Sequence, residues 1–207
     1  MKLKHLLFIS LATFIFVSCN KKASQSANFD YGKVENSVYS NSFFKFDIQL
    51  PEEWEILTQE QNQNLMQEES KEKNLQAEEK SINLLTALKN ADETNEDEFF
   101  TNLSVIAEKL DTSDRVENGT DYLMHTRKAL DDTGIKREYP DKATSLEKIN
   151  GVEFATMRVN TTEPGLNFMQ KFYTAIINDY ALTFITTYNN DAQQVELNNI
   201  LKTLKFK

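Results

Sequence analysis

The sequence predicts an α+β domain with a central, mostly antiparallel sheet flanked by helices. Three features carry this. Val152 to Asn160, Asn167 to Ile177 and Tyr180 to Tyr188 are rich in β-branched and aromatic residues, the composition of strands. Asn178-Asp179 makes a tight hairpin turn between the last two. The chain then closes with Leu197, Ile200, Leu201 and Leu204 at i, i+3, i+4 and i+7, one apolar stripe of an amphipathic helix.

Taken in order, the first element is a strand over Phe43 to Leu50. Phe44, Phe46, Ile48 and Leu50 alternate with Lys45, Asp47 and Gln49, which places one apolar and one polar face. Pro51 ends it by removing a ladder donor, and Trp54 follows as an apolar anchor. Thr58 to Lys80 is dense in Gln, Glu, Asn and Lys, and its Leu65, Met66 and Leu75 are too scattered for a continuous stripe, so an exposed helix is expected. Ile82 to Leu88 and Leu103 to Leu110 are expected to be strands joined by the acidic run Asp92 to Glu98 in a long hairpin, the first alternatively extending the preceding helix. Tyr122, Leu123, Thr126 and Leu130 fall near helical spacing between Asp121, a candidate cap, and Gly134, a candidate stop. Both faces of Phe172 to Ile177 are apolar or aromatic, which predicts a central strand covered on both sides. The last helix is expected to start at Asp191, with Gln194 completing a capping box.

Ahead of these elements, Met1 to Ser18 has the three parts of a secretory signal: Lys2 and Lys4, an apolar run from Leu6 to Val17, and small Ser18 before Cys19. A hydrocarbon core of roughly 30 Å takes about 20 apolar residues to cross as a helix, and this run is shorter. Asn20 to about Val34 is rich in Lys, Ser, Asn and Gln, as in a tether that buries no core. The chain is therefore divided into a signal peptide over 1–18, a tether over 19–36 and one domain over 37–207. Cys19 is the only cysteine, so a disulfide framework is excluded. Losing Lys2 and Lys4 with the signal lowers 23 basic residues to 21 against 32 acidic ones, a net charge of −11 that disfavours nucleic acid and anionic lipid surfaces, so membrane contact is expected through the anchor.

Phe16-Val17-Ser18-Cys19 resembles the lipobox of bacterial lipoproteins, in which the cysteine becomes the lipidated first residue of the mature chain. The resemblance implies lipidation of Cys19 and a membrane partner through that anchor. Stable anchoring takes more than one acyl chain, a condition the lipoprotein family meets with three. The segment Val38-Tyr39-Ser40-Asn41-Ser42-Phe43-Phe44-Lys45-Phe46-Asp47-Ile48-Gln49-Leu50-Pro51-Glu52-Glu53-Trp54, with the hairpin and helix over Phe172 to Leu204, resembles the PsbP-like family, in the superfamily that includes a Ran-binding import factor. That resemblance implies a three-layer αβα domain that binds or stabilises partner proteins without catalysis. The lipidated, Asn- and Lys-rich chain also resembles lipoproteins of Bacteroidetes-type bacteria. Surface export in that group goes with acidic residues just after the lipidated cysteine. Here Asn20, Lys21 and Lys22 follow it, so an outer-membrane anchor facing the periplasm is expected.

The chain offers little for catalysis or metal binding. His125 is the only histidine after the signal and falls on the flank of a predicted helix, where a structural histidine is the simpler reading. Asp92 to Glu98 gathers carboxylates, yet it has neither the alternating oxygen ligands nor the glycine of a calcium loop. Asp131 and Asp132 are adjacent, and adjacent carboxylates seldom face each other across a substrate. No phosphate-binding glycine motif, nucleophile elbow or Cys-x-x-Cys occurs. No catalytic, metal or cofactor site is therefore expected. The expected function is that of a lipid-anchored binding or accessory module for a protein partner in the envelope. The alternative is a small-ligand or metal-binding lipoprotein with a cleft between the sheet and the polar segment Thr58 to Lys80.

Overall fold

The computed structural model describes residues 29–57, 59, 61–62, 81–89, 101–163 and 166–207. Cys19 with its signal and most of the tether, the acidic run Asp92 to Glu98, and all of the expected helix Thr58 to Lys80 except Gln59, Gln61 and Asn62 lie outside the described residues.

Twelve strands form two sheets among the described residues, and all their pairings are antiparallel. The small sheet runs in the order β1 (Lys33–Glu35), β2 (Val38–Asn41), β3 (Phe46–Gln49) and β12 (Lys205–Phe206). The main sheet runs β4 (Trp54–Ile56), β5 (Ser81–Lys89), β6 (Asn102–Lys109), β11 (Tyr180–Tyr188), β10 (Leu166–Ile177) and β9 (Val152–Glu163). Along the outer edge of β9 lie two further strands, β7 (Arg137–Glu138) and β8 (Ser145–Ile149). The expected hairpin of β10 and β11 is present, with Asn178 and Asp179 both in the left-handed region that such a turn requires.

Every residue of β11 is buried, so this strand needs apolar cover on both faces. Helix α1 (Gly119–Asp132) covers one face through Tyr122, Leu123 and Leu130, packed on Ala155, Met157, Val159, Phe172 and Ile185. The other face is covered by the small sheet together with helix α2 (Asp191–Leu201). Phe46 of β3 meets Phe184 of β11 edge to face at 5.3 Å, while Leu197, Ile200, Leu201 and Leu204 complete that core. The expected pair of helical layers is thus altered: a second sheet occupies much of one outer layer, because the alternating run Phe44, Phe46, Ile48 and Leu50 buries its apolar side against the main sheet instead of joining it.

Several boundaries differ from expectation. The strand expected over Phe43 to Leu50 is confined to Phe46–Gln49, because Phe43 to Lys45 form a turn with Lys45 in the left-handed region, and the terminal helix ends at Leu201, short of Leu204. The cap of α1 is Asn118 rather than Asp121, since the Asn118 side chain accepts from the amides of Thr120 and Asp121 at 2.9 and 3.1 Å. The terminal helix is capped by Asn190 with Gln193, one residue before the expected Asp191 and Gln194. The folded body begins before Ser37. Phe29 packs on Phe43 at 4.9 Å and on Tyr180 at 5.5 Å, and Val34 of β1 pairs with Tyr39 of β2.

Helix α1 lies close on the sheet because Gly119, at its start, has no side chain: a Cβ there would stand 2.4 Å from the carbonyl oxygen of Thr174 on β10. Gly119→Ala is expected to destabilise the fold by about 1–3 kcal/mol through overpacking. Urea denaturation would measure this as a lower midpoint at unchanged slope. A midpoint equal to wild type would show that α1 is free to move off β10.

Candidate partner-docking surface

Beyond the small sheet, the β12-side face of the main sheet continues as an open shelf with α2 as its wall. Register puts Lys171 of β10 directly opposite Arg158 of β9, two cations side by side on one face. Like charges opposite one another destabilise a sheet unless they are compensated. Both are compensated from the β8 edge. Arg158 makes a bidentate pair with Asp141 at 2.8 and 2.7 Å, and Lys171 Nζ donates to Glu147 Oε1 at 2.6 Å. The Lys171 ammonium also lies 4.8 Å from the centroid of the Tyr173 ring.

The wall is polar toward the shelf. Gln194 of α2 donates to the Tyr188 hydroxyl at 2.9 Å, and the Tyr173 hydroxyl donates to Asn198 Oδ1 at 3.4 Å. Val195, one turn before Asn198, is 58% exposed, and Met169 stands opposite Tyr188 in the ladder. The shelf thus presents Arg158, part-buried Met169 and Asn198 and the exposed aliphatic Val195 over the buried Tyr173 and Tyr188, and Arg and Met are residues that protein interfaces favour.

Neighbouring groups and burial shift several of the shelf's titratable side chains. The hydrogen bonds from Arg158 hold the Asp141 carboxyl below the ordinary aspartate range, and the same bonds raise the guanidinium. Burial, reinforced by Glu147, pushes the Tyr173 phenol up, and burial also raises Tyr188. Protonated phenols and an ionised Asp141 leave hydrogen-bonding partners on this face.

The opposite face holds a second polar region. Over β5, β6 and β11 it carries Asn83, Thr86, Ser104, Thr183 and Thr187, all buried. Asn83 Nδ2 donates to Thr86 Oγ1 at 2.9 Å and to Asn62 Oδ1 at 3.3 Å, and the hydroxyls of Thr174 and Thr183 pair at 2.9 Å. At its border with α1, the fully buried Tyr122 hydroxyl donates to Glu108 Oε2 at 2.7 Å; burial and then the carboxylate push that phenol well above its ordinary value.

The residues weighed from sequence fall elsewhere. His125 is part-buried on α1, on the far side of the sheet from the shelf. Asp131 accepts from the Tyr139 hydroxyl at 2.7 Å and Asp132 pairs with Lys128, so the two carboxylates close a helix end. Among the described residues no group of three His, Cys, Asp or Glu side chains could hold a metal, and no helix is long and apolar enough to cross a membrane. Sequence reasoning passed over Asp141, Glu147, Arg158 and Lys171. The signal was there: Arg158 and Lys171 are the only cations in their strands, but their opposition depends on a register that one strand alone cannot reveal.

No family model matches the chain, and no curated protein matches it. The solution structure of cyanobacterial PsbP (CyanoP) from Synechocystis sp. PCC 6803 is similar in fold: 12% identity, a TM-score of 0.54, and coverage of 90% of this chain and 99% of that one. The chain therefore has a PsbP-like fold, built of antiparallel sheets and two described helices.

The Arg158–Asp141 pair predicts a pH signature. With its folded value below the ordinary 3.8, Asp141 contributes stability that is complete well above that pH and is lost as pH falls through the folded value. Denaturant titrations of wild type and Asp141→Asn are expected to differ at about pH 6 and to converge only as pH falls below the folded value of Asp141. A gap that stays constant with pH would show that the pair does not form.

Proposed function

We propose that this chain is a lipid-anchored envelope lipoprotein, of the kind found in Bacteroidetes-type bacteria, whose domain is a non-enzymatic binding or accessory module for a protein partner. The anchor is Cys19, carried by the signal and lipobox of the sequence and placed at the outer membrane facing the periplasm. On this reading the domain is a variant of the three-layer αβα design, with the small sheet sharing one outer layer with α2.

One observation carries the binding reading: Arg158 and Lys171 stand opposite each other on the sheet and need Asp141 and Glu147 to hold them there. Stability alone favours opposite charges or uncharged residues at such positions, and departures from local rules concentrate at functional sites. Beside the pair, part-buried Met169 and exposed Val195 offer apolar surface that a partner would cover, with Tyr173 and Tyr188 buried beneath.

The small-ligand alternative has the buried polar strip of Asn83, Thr86 and Ser104 in its favour. An uncharged polyol or sugar that raises the melting temperature of wild type and not of Ser104→Ala would select it. The partner reading is tested with a photo-crosslinking amino acid in intact cells. At Val195 it is expected to trap a discrete partner, and at Met124, 62% exposed on α1, to trap none. Arg158→Ala should lower the Val195 yield about tenfold, equivalent to about 1.4 kcal/mol. Identical adducts at both positions, or none at Val195 in folded and abundant protein, would contradict it.

A further inference from the structure

The point at which the chain enters the fold is tightly fixed. The Phe29 ring sits among Tyr31, Phe43, Phe44 and Tyr180, with centroids 4.9 to 6.0 Å apart. The Asp30 carboxylate accepts from the amides of Gly32 and Ser42 at 2.8 and 2.7 Å and from the Ser42 hydroxyl at 2.7 Å, while Asn41 Nδ2 donates to the Asp30 carbonyl. Burial raises that carboxyl, yet these donors outweigh it and leave it below its ordinary value. Gly32, at φ +80°, passes so close to the Tyr39 hydroxyl that a Cβ would stand 2.2 Å from it. Phe29, the first described residue, is thus held in the body ten residues after Cys19.

Ten peptide steps reach at most about 35 Å when fully extended. A globular domain of this size has a radius of gyration of about 15 Å and is about 40 Å across. The entry point lies at one end of the β10–β11 hairpin: Phe29 packs on Tyr180, and Asn178 in the turn donates to the Phe43 carbonyl at 2.7 Å. The shelf lies toward the other end. Met169 and Tyr188 are eight residues from Ile177 and Tyr180 along their strands, about 26 Å away at strand rise. With the entry end toward the bilayer the tether has slack, whereas the reverse orientation needs it stretched along the whole domain.

The entry end also carries lysines in a chain of strongly negative net charge. Lys33, Lys45 and Lys207 line an open cleft with Ser40, Ser42 and Asp30, and Lys109 lies nearby over the Tyr180 ring. Lys33 is paired with Glu35 and Lys207 with Asp47, but these are exposed contacts, with both lysine side chains about two-thirds accessible, and such pairs give way easily to another anion. The Asp30 carboxylate is engaged by backbone and serine donors, and its charge acts on Lys33 through space without a direct ion pair.

We propose that this end is the membrane-facing surface of the domain, and that the Lys33–Lys45–Lys207 cleft takes the phosphate of a lipid headgroup, leaving the shelf turned away from the bilayer. The proposal rests on the lipid-anchor reading of Cys19 and adds an orientation and a ligand class to it. Acylated Cys19 leaves no free thiol, so a single introduced cysteine can carry a fluorophore. The test places the full lipidated protein in phosphatidylethanolamine–phosphatidylglycerol vesicles containing a headgroup quencher. A probe at Asp179→Cys, in the exposed hairpin turn at the entry end, is expected to be quenched at least threefold more than the Asn160→Cys probe. Adding Lys33→Glu and Lys207→Glu should bring the Asp179→Cys signal close to that of Asn160→Cys, in variants whose urea midpoint is unchanged. Equal quenching at the two sites overturns the orientation, and quenching that survives the charge reversal overturns the phosphate assignment. Labelled fatty acid that still enters a Cys19→Ser chain overturns the anchor reading itself, separately from the other two outcomes.

Discussion

The constraint on which the rest of the structure depends is the burial of β11 on both faces. Tyr180, Leu182, Phe184 and Tyr188 point one way, Ala181 and Ile185 the other, and all are buried. Neither face can be left to water, because each buried aliphatic or aromatic side chain contributes about 1.5–3 kcal/mol only while it stays covered. One helix suffices on the side where Ala155, Met157, Val159 and Phe172 make a compact apolar patch. The other side is wider and is covered by a sheet and a helix together. Covering it stops short of Lys171 and Arg158, and that shortfall creates the shelf.

Much of this was legible in the sequence where side-chain periodicity was strong. The buried alternation of Phe44, Phe46, Ile48 and Leu50, the apolar double face of Phe172 to Ile177, the Asn178-Asp179 turn and the helical stripe Leu197, Ile200 and Leu201 correspond to what forms, while Leu204 joins the same core from just beyond the helix. What escaped had weak or local signals. Strand β1 is exposed at all three residues and carries no pattern, so the tether was drawn too long. The β8–β9 hairpin was missed although Asn150-Gly151 is a strong turn pair, because Ser145–Ile149 is polar and mostly exposed. The caps shifted because several Asn and Asp residues cluster at each helix start, and the choice among them depends on backbone geometry. The shelf was illegible for a deeper reason: it is made by pairing across β8, β9 and β10, and no single segment contains it.

The two ends of the β10–β11 hairpin therefore do different things. At the turn end, Phe29 and Asp30 fix the incoming chain beside Tyr180; at the far end, Met169 and Tyr188 border α2 and the Arg158–Lys171 pair. The strands between them are continuous and paired on both sides, with β9 and β6 as outer neighbours. A paired, doubly buried hairpin is stiff on the scale of thermal motion, since opening it means exposing apolar surface and breaking two ladders together. We view the domain as a rigid spacer that carries a recognition surface at a fixed distance from its point of attachment.

Amide hydrogen exchange on the folded full chain tests that view most directly. If the hairpin is one rigid body, amides of β10 and β11 from Ile177 and Tyr180 through Met169 and Tyr188 exchange with one common free energy, equal to that of global unfolding by denaturant. If the Met169 and Tyr188 end instead exchanges several kcal/mol more easily than the turn end, the shelf moves independently of the anchor and the rigid-spacer account is wrong.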